Sequence, residues 1–275
     1  NLTFEGNGAR LDVPTTNLGS QSSSAIRLYE VRGTTIRDLV LVGNNQLAGT
    51  NRAMDDSRQG NYGIAVLSAD DTLIEDVEVR RVWSDCFYID RTGSGGWSTG
   101  VTIRDSTCRL SGRHAVGLIS ASNVRVLDNT FDDIVFDVID IEPNHSVEGA
   151  SDVVIRGNHI GSYALDADWD GWFLAACGPK NLGAVIRDVT VTGNTVEGNT
   201  AGWSGQTKGL SFKVCGERGP RRNFTITNNV AQKAVNGPAM TFTNVQGVTV
   251  TGNTQPLNSG TLATFPGSSG VTYDG

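Results

Sequence analysis

Apolar and polar residues alternate in short bursts along this chain, and one burst returns with small variations from end to end. Copies read NLTFEGN at 1–7, TTIRDLVLVGNN at 34–45, DTLIEDVEVRRV at 71–82, GVTIRDSTCRLSG at 100–112 and NVRVLDNTFDD at 123–133. They continue as DVVIRGNHIGS at 152–162, DVTVTGNTVEGN at 188–199, NFTITNNVAQ at 223–232 and GVTVTGNTQP at 247–256. Each is a short strand that closes on a polar or Gly-Asn corner. A second alternating segment follows each copy: SAIRLYEV (24–31), YGIAVLSA (62–69), DCFYIDRT (85–92), HAVGLISA (114–121), DVIDIEPN (137–144), GWFLAAC (171–177), GLSFKVC (209–215), AMTFTNV (239–245) and TLATF (261–265). No window of 11–18 residues carries a convincing 3.6-residue period, so the pattern predicts little helix.

Repeats at this spacing mean a solenoid or a propeller. The anchors Phe4, Ile36, Ile74, Ile103, Val126, Ile155, Val191, Ile226 and Val250 are separated by 32, 38, 29, 23, 29, 36, 35 and 24 residues. A propeller blade needs four strands, which steps of 23 and 24 do not hold. A β-helix coil needs two or three short strands and tolerates insertions at its corners. The expectation is an all-β, single-domain parallel β-helix of about nine coils spanning 1–275.

The corners say how the coils stack. Asn129, Asn158, Asn194, Asn229 and Asn253 keep one phase relative to the aliphatic anchors, and Asn7 holds the same place in the first copy. Equivalent residues on coils about 4.8 Å apart lie above one another, so these amides are placed to bond in a ladder. Gly6, Gly157, Gly193 and Gly252 precede them, where the chain bends.

Composition narrows the function classes. Aromatics are only 7% of the chain, which suits a thin core of Val, Ile, Leu and Ala. A net charge of −7 with no basic stripe argues against a nucleic-acid partner. No run of 18 apolar residues predicts a membrane span, and no signal peptide is visible. The chain begins inside a strand and reads as a mature or trimmed piece. Of the four cysteines, Cys177 and Cys215 end neighbouring second strands, where either a disulfide or two reduced thiols fits. Cys86 and Cys108 lie on different strand types and read as packed thiols. No CxxC or CxxH spacing exists, so no metal and no cofactor is expected.

Over essentially its whole length the chain resembles the right-handed parallel β-helix superfamily of pectate lyases, polygalacturonases and phage tailspike depolymerases. The phrases GRHAVGLISASNVRVLDNTF (112–131) and DVIDIEPN (137–144) carry a further likeness, to uncharacterised β-helix proteins of actinobacteria and their phages. The resemblance implies a right-handed solenoid acting on a polysaccharide or other glycan, secreted or on a virion surface, and a homotrimer if phage-derived. The Gly-His-Gly and Arg-Ile-Lys phrases of polygalacturonases are absent. So are the Trp-Ile-Asp-His strand of pectate lyases and the Tyr-Gly-Phe-Asp-Pro-His-Glu stretch of mannuronan epimerases. Their catalytic sets therefore do not carry over.

Chemistry is then read from columns on the second strands. Alternation turns Phe87, Ile89, Val116, Leu118, Ile139 and Ile141 inward. It turns Tyr88, Gly117 and Asp140 outward in one column, and Asp90, Ile119 and Glu142 in the next. Asp85, His114 and Asp137 stack at the leading corner beside Arg113, and Gly117 is expected to leave an open floor. Asp140, Glu142 and Asp90 are the candidate acid–base residues, and Tyr88, Arg91, Arg113, His114 and Asp137 the candidate glycan contacts. Asp140 and Glu142, alternate residues on one strand, stand roughly 7 Å apart, the lower edge of the inverting-glycosidase separation. Trp97, Trp169 and Trp172, with Trp83 and Trp203, lie in loops where indoles stack on sugars or cover the ends of the core. The expected activity is a glycoside hydrolase. The alternatives are a polysaccharide lyase or uronate epimerase, and a non-catalytic phage tail or adhesin module that binds glycans. Outward Asp and Glu on a solenoid are otherwise a solvated face.

Overall fold

The computed structural model describes residues 2–13, 23–51, 53, 55–166, 168–178, 183–200 and 207–275. Trp203 lies outside them. The anchors stack in register: Phe4 pairs with Ile36, Ile36 with Ile74, Ile74 with Ile103, Ile103 with Val126, and so on to Val250. Ile74, Ile103, Val126, Ile155, Val191, Ile226 and Val250 are fully buried. Each contributes about 1.5–3 kcal/mol by leaving water. A tenth first strand, Ser269–Tyr273, pairs with Gln246–Thr251 and extends the sheet beyond the copies legible in the sequence.

The second strands form their own parallel nine-stranded sheet. It runs through Ile26–Tyr29, Ile64–Leu67, Phe87–Asp90, Val116–Leu118, Ile139–Ile141, Leu174–Ala176, Phe212–Cys215, Met240–Thr243 and Ala263–Thr264. Its inner residues meet those of the first sheet in one core. Among the described residues, helix is confined to two three-residue 3-10 turns, Asp56–Arg58 and Gly216–Arg218. No helix among them is long and apolar enough to cross a membrane.

The bend before each ladder position has a local cause. Asp38, Asp76, Asp105, Asp128, Gly157, Gly193, Asn228 and Gly252 occupy this column with φ between 50° and 69°. Asp, Asn and Gly are the residues that tolerate the left-handed region best. The next residue then turns inward. Asn129 Nδ2 donates to Asn158 Oδ1 at 3.0 Å, Asn158 to Asn194 at 2.9 Å, Asn194 to Asn229 at 2.8 Å and Asn229 to Asn253 at 2.9 Å. Each of these oxygens also accepts the preceding Asn backbone N–H, and each Nδ2 also donates to a strand carbonyl one coil back. Ser106 and Val77 continue the column by Ser106 N–H to Asn129 and Val77 N–H to Ser106 Oγ. Asn7 does not belong to it. The first strand has a register shift between Glu5 and Ala9, and Asn7 is exposed within that irregularity.

All four cysteines are joined. Cys177–Cys215 links adjacent second strands, with Cα atoms 4.8 Å apart. Cys86–Cys108 corrects the expectation of two packed thiols. Strand type is no barrier, because both side chains are fully buried and point into one interior, with Cα atoms 5.9 Å apart.

Candidate functional site

The outer face of the nine-stranded sheet carries a groove with three chambers. The largest, about 810 Å³, is lined on its floor by Arg113, His114, Asp137, Asp140 and Glu142, and on its far wall by Trp169, Trp172, Lys213 and Arg218. A second, about 390 Å³, shares Arg113 and Glu142 with it and adds Tyr62 and Tyr88. The third, about 280 Å³, reaches Tyr88, Asp90 and Arg91. The sheet register explains the gathering: Tyr88, Gly117, Asp140, Ala175 and Lys213 hold one outward column on successive strands.

The floor is built from the leading corners. Asp85 is fully buried and takes a two-pronged bond from Arg113, Nε to Oδ1 and Nη2 to Oδ2, both 2.8 Å. Its Oδ1 also accepts the His114 backbone N–H at 3.3 Å. Burial pushes the Asp85 carboxyl up, but Arg113 overcomes it and holds the group below the usual carboxylate range. The open floor expected at Gly117 is filled by this pair. A Cβ there would stand 2.6 Å from Asp85 Oδ2, so glycine is needed for the carboxylate to lie over the strand.

Above that pair sits a buried trio. The Asp137 backbone N–H donates to His114 Nδ1 at 3.2 Å, which leaves the ring proton on Nε2. Nε2 faces Asp140 Oδ2 at 3.3 Å, and Nδ1 lies 3.5 Å from Asp137 Oδ2. Burial and the Arg113 charge push His114 down to about 3, so the ring is neutral near pH 7. Burial, with the Glu142 charge, pushes Asp137 up to about 8, although its Oδ1 accepts the Trp172 N–H at 2.7 Å. Burial, then Glu142 and Asp137, raise Asp140 well above the carboxylate range. A donor atom from each of His114, Asp137 and Asp140 lies within 4.8 Å of the others, a spacing that would suit a divalent cation. Both ring nitrogens are already engaged, one by a backbone N–H and one facing a carboxyl. The same geometry lets the three groups share protons.

The remaining candidates divide. Asp90 stands in the third chamber, not with the trio. Its Oδ2 accepts Tyr88 Oη–H at 2.9 Å and its Oδ1 the Arg91 N–H at 2.6 Å, and burial raises its pKa. Tyr88 stacks on Tyr62 with ring centroids 3.9 Å apart. Arg91 binds its own loop through the carbonyls of Gly93 and Gly95. Trp97 does not line the groove; its indole N–H donates to Val147 O at 2.8 Å and pins that loop. Trp169 is exposed, and Trp172 carries Lys213 Nζ 4.4 Å above its ring. Glu148, which sequence reasoning passed over, caps the Asn144 and His145 N–H groups at 2.6 and 2.8 Å. Lys213, Arg218 and Gln59 also join the groove without a signal in the sequence. Only the sheet register and the long corner insertions bring them there.

Residues 24–272 match the family model described as the right handed beta helix region. No curated protein matches the chain by sequence. The family 28 exopolygalacturonase of Yersinia enterocolitica superposes with a TM-score of 0.68 at 12% identity, over 92% of this chain and 44% of that one. The chain thus spans less than half of that enzyme. PfbA, a surface adhesin of Streptococcus pneumoniae, superposes with a TM-score of 0.53 at 12% identity, over 98% of this chain and 82% of that one. At such identities the likeness is one of fold. With the family model covering nearly the whole chain and the paired parallel sheets in register, the protein belongs to the right-handed β-helix family.

Proposed function

We propose that this protein is a glycan-cleaving hydrolase that works in the groove of the second-strand sheet. The observation that carries it is the convergence of Asp137, Asp140 and Glu142 on one groove floor beside a neutral His114, with Trp169 and Trp172 on the wall. Asp140 is the general acid: it is held protonated and aimed by His114 Nε2–H. It gives its proton to the leaving glycosidic oxygen. Glu142, two residues on along the extended chain and so roughly 7 Å away, activates the water. That separation suits inversion. Asp137 shares the proton of the network, and Tyr88, Asp90 and Arg91 act as binding groups in the neighbouring chamber. The exopolygalacturonase of the same fold is in keeping with a polysaccharide substrate. The two disulfides fit an oxidising compartment, that is, secretion or display on a virion surface.

The test is a panel of polysaccharides with product analysis. The expected result is release of reducing ends with inverted anomeric configuration. Unsaturated products absorbing in the ultraviolet would replace the hydrolase by a lyase. Saturable binding without turnover would leave a binding module.

A further inference from the structure

We infer that the far end of the groove is a subsite for an anionic sugar substituent, a carboxylate or a sulfate ester, held by Lys213 and Arg218. The inference rests on the groove being the glycan site. Lys213 stands in register with Asp140 through Ala175, two strand spacings or roughly 10 Å away. That is the reach of a disaccharide, and the small Ala175 leaves the floor between them low. Among the described residues no carboxylate pairs with Lys213 or Arg218, whereas Lys208 is paired with Asp170 in the same wall. Lys213 is held upright over Trp172 by a cation–π contact.

Arg218 supplies the second, independent sign. Its Nη1 donates to Gly178 O at 2.8 Å, but its Nε–H is buried with no acceptor. The half-buried Arg218 nevertheless lines the chamber, and a guanidinium matches the oxygens of a carboxylate or sulfate. The position is built: Cys215 precedes the Gly216–Arg218 turn, and its disulfide to Cys177 fixes that turn beside Gly178. The groove therefore carries an acidic network on its floor and two carboxylate-free cations at the other end, with Trp172 beneath Lys213.

Trp172 makes the subsite visible without turnover. Tryptophan emission is titrated with galacturonate, with galactose 6-sulfate and with uncharged galactose at fixed ionic strength. At least one anion is expected to give a saturable change that galactose does not, that weakens as salt is raised, and that is lost in Trp172→Phe. Lys213→Met and, independently, Arg218→Gln are expected to weaken binding by about tenfold or more. A response to one anion only names the substituent. An equal response to galactose, no response to either anion, or unchanged affinity in both variants overturns the subsite. Failure of the hydrolase reading would appear separately, as absent turnover with anion binding intact.

Discussion

Two buried polar columns run along this solenoid, and they end in opposite states. At the corner, five asparagines use their side-chain groups in a continuous ladder, each Nδ2 and Oδ1 met at 2.8–3.0 Å. On the second-strand face, Asp85, His114, Asp137 and Asp140 are also buried, but they are titratable groups rather than neutral amides. An amide column is neutral and self-complementary, so stacking it resolves every hydrogen bond. A carboxyl column is neither. Its members must pair with a cation, as Asp85 does with Arg113, or stay protonated, as Asp137 and Asp140 do. The contrast separates a column of neutral amides from one whose protonation is set by its surroundings, the mark of a candidate functional site.

The contrast breaks most severely at Arg113. Arg113→Met leaves the Asp85 carboxylate buried and uncompensated, and is expected to cost about 3–5 kcal/mol, read from urea denaturation. An unchanged midpoint would mean that Asp85 tolerates burial alone. Asp140→Asn is expected to lower turnover on a confirmed glycan by about a hundredfold or more, with the melting temperature almost unmoved. Full activity there would move the acid to Asp137 or to the loop residues Asp168 and Asp170. Asn194→Leu is expected to show the reverse behaviour. It orphans the buried Asn158 backbone N–H and removes the Nδ2 donor from Asn229 Oδ1 and Ile155 O, at a cost of about 1–3 kcal/mol, with specific activity per folded molecule retained. Equal melting curves would remove the ladder from the account of stability.

A pH experiment sharpens the same comparison more gently. The Asp137 carboxyl is raised from 3.8 to about 8 on folding. Its stabilising contribution is therefore fully present below about 3.8 and lost as pH rises through about 8. His114 acts in the opposite sense: with its folded value near 3, it costs stability as pH falls below 6.5. Asp137→Asn keeps the Trp172 bond but does not titrate. The stability of wild type relative to this variant is thus expected to decline steadily from acid pH to above 8, measured by thermal melting. A difference that stays flat would contradict the raised pKa. Asp105→Asn, on the exposed bend of another face, is expected to change stability by less than about 0.5 kcal/mol.

Much of the fold was legible because strand period and corner chemistry are local. Val126-Leu127-Asp128-Asn129 and Val191-Thr192-Gly193-Asn194 announce an inward anchor, an outward residue, a left-handed bend and an inward amide without any reference to the rest of the chain. Where that phrase is spoiled, the prediction failed. Two residues separate Asn7 from the ladder phase, and a register shift between strands is invisible from one strand. Cys86 and Cys108 were misjudged for a related reason. Their pairing depends on how the chain closes across the interior of a coil.

Local pattern was enough to give the solenoid, its two strands per coil, the outward parity of Tyr88, Asp90, Asp140 and Glu142, and the stacking of Asp85, His114 and Asp137. Each follows from a two-residue period and a coil repeat. Tertiary structure alone decided which outward carboxyls are buried and which fill a neighbour's space. It laid Asp85 over Gly117 and drew Asp137 and Asp140 around His114. It held Asp90 apart with Tyr88 and closed the far wall with Trp172, Lys213 and Arg218. Protonation depends on burial and on charges a few ångströms away, and those distances are set by corner insertions whose paths no local pattern encodes.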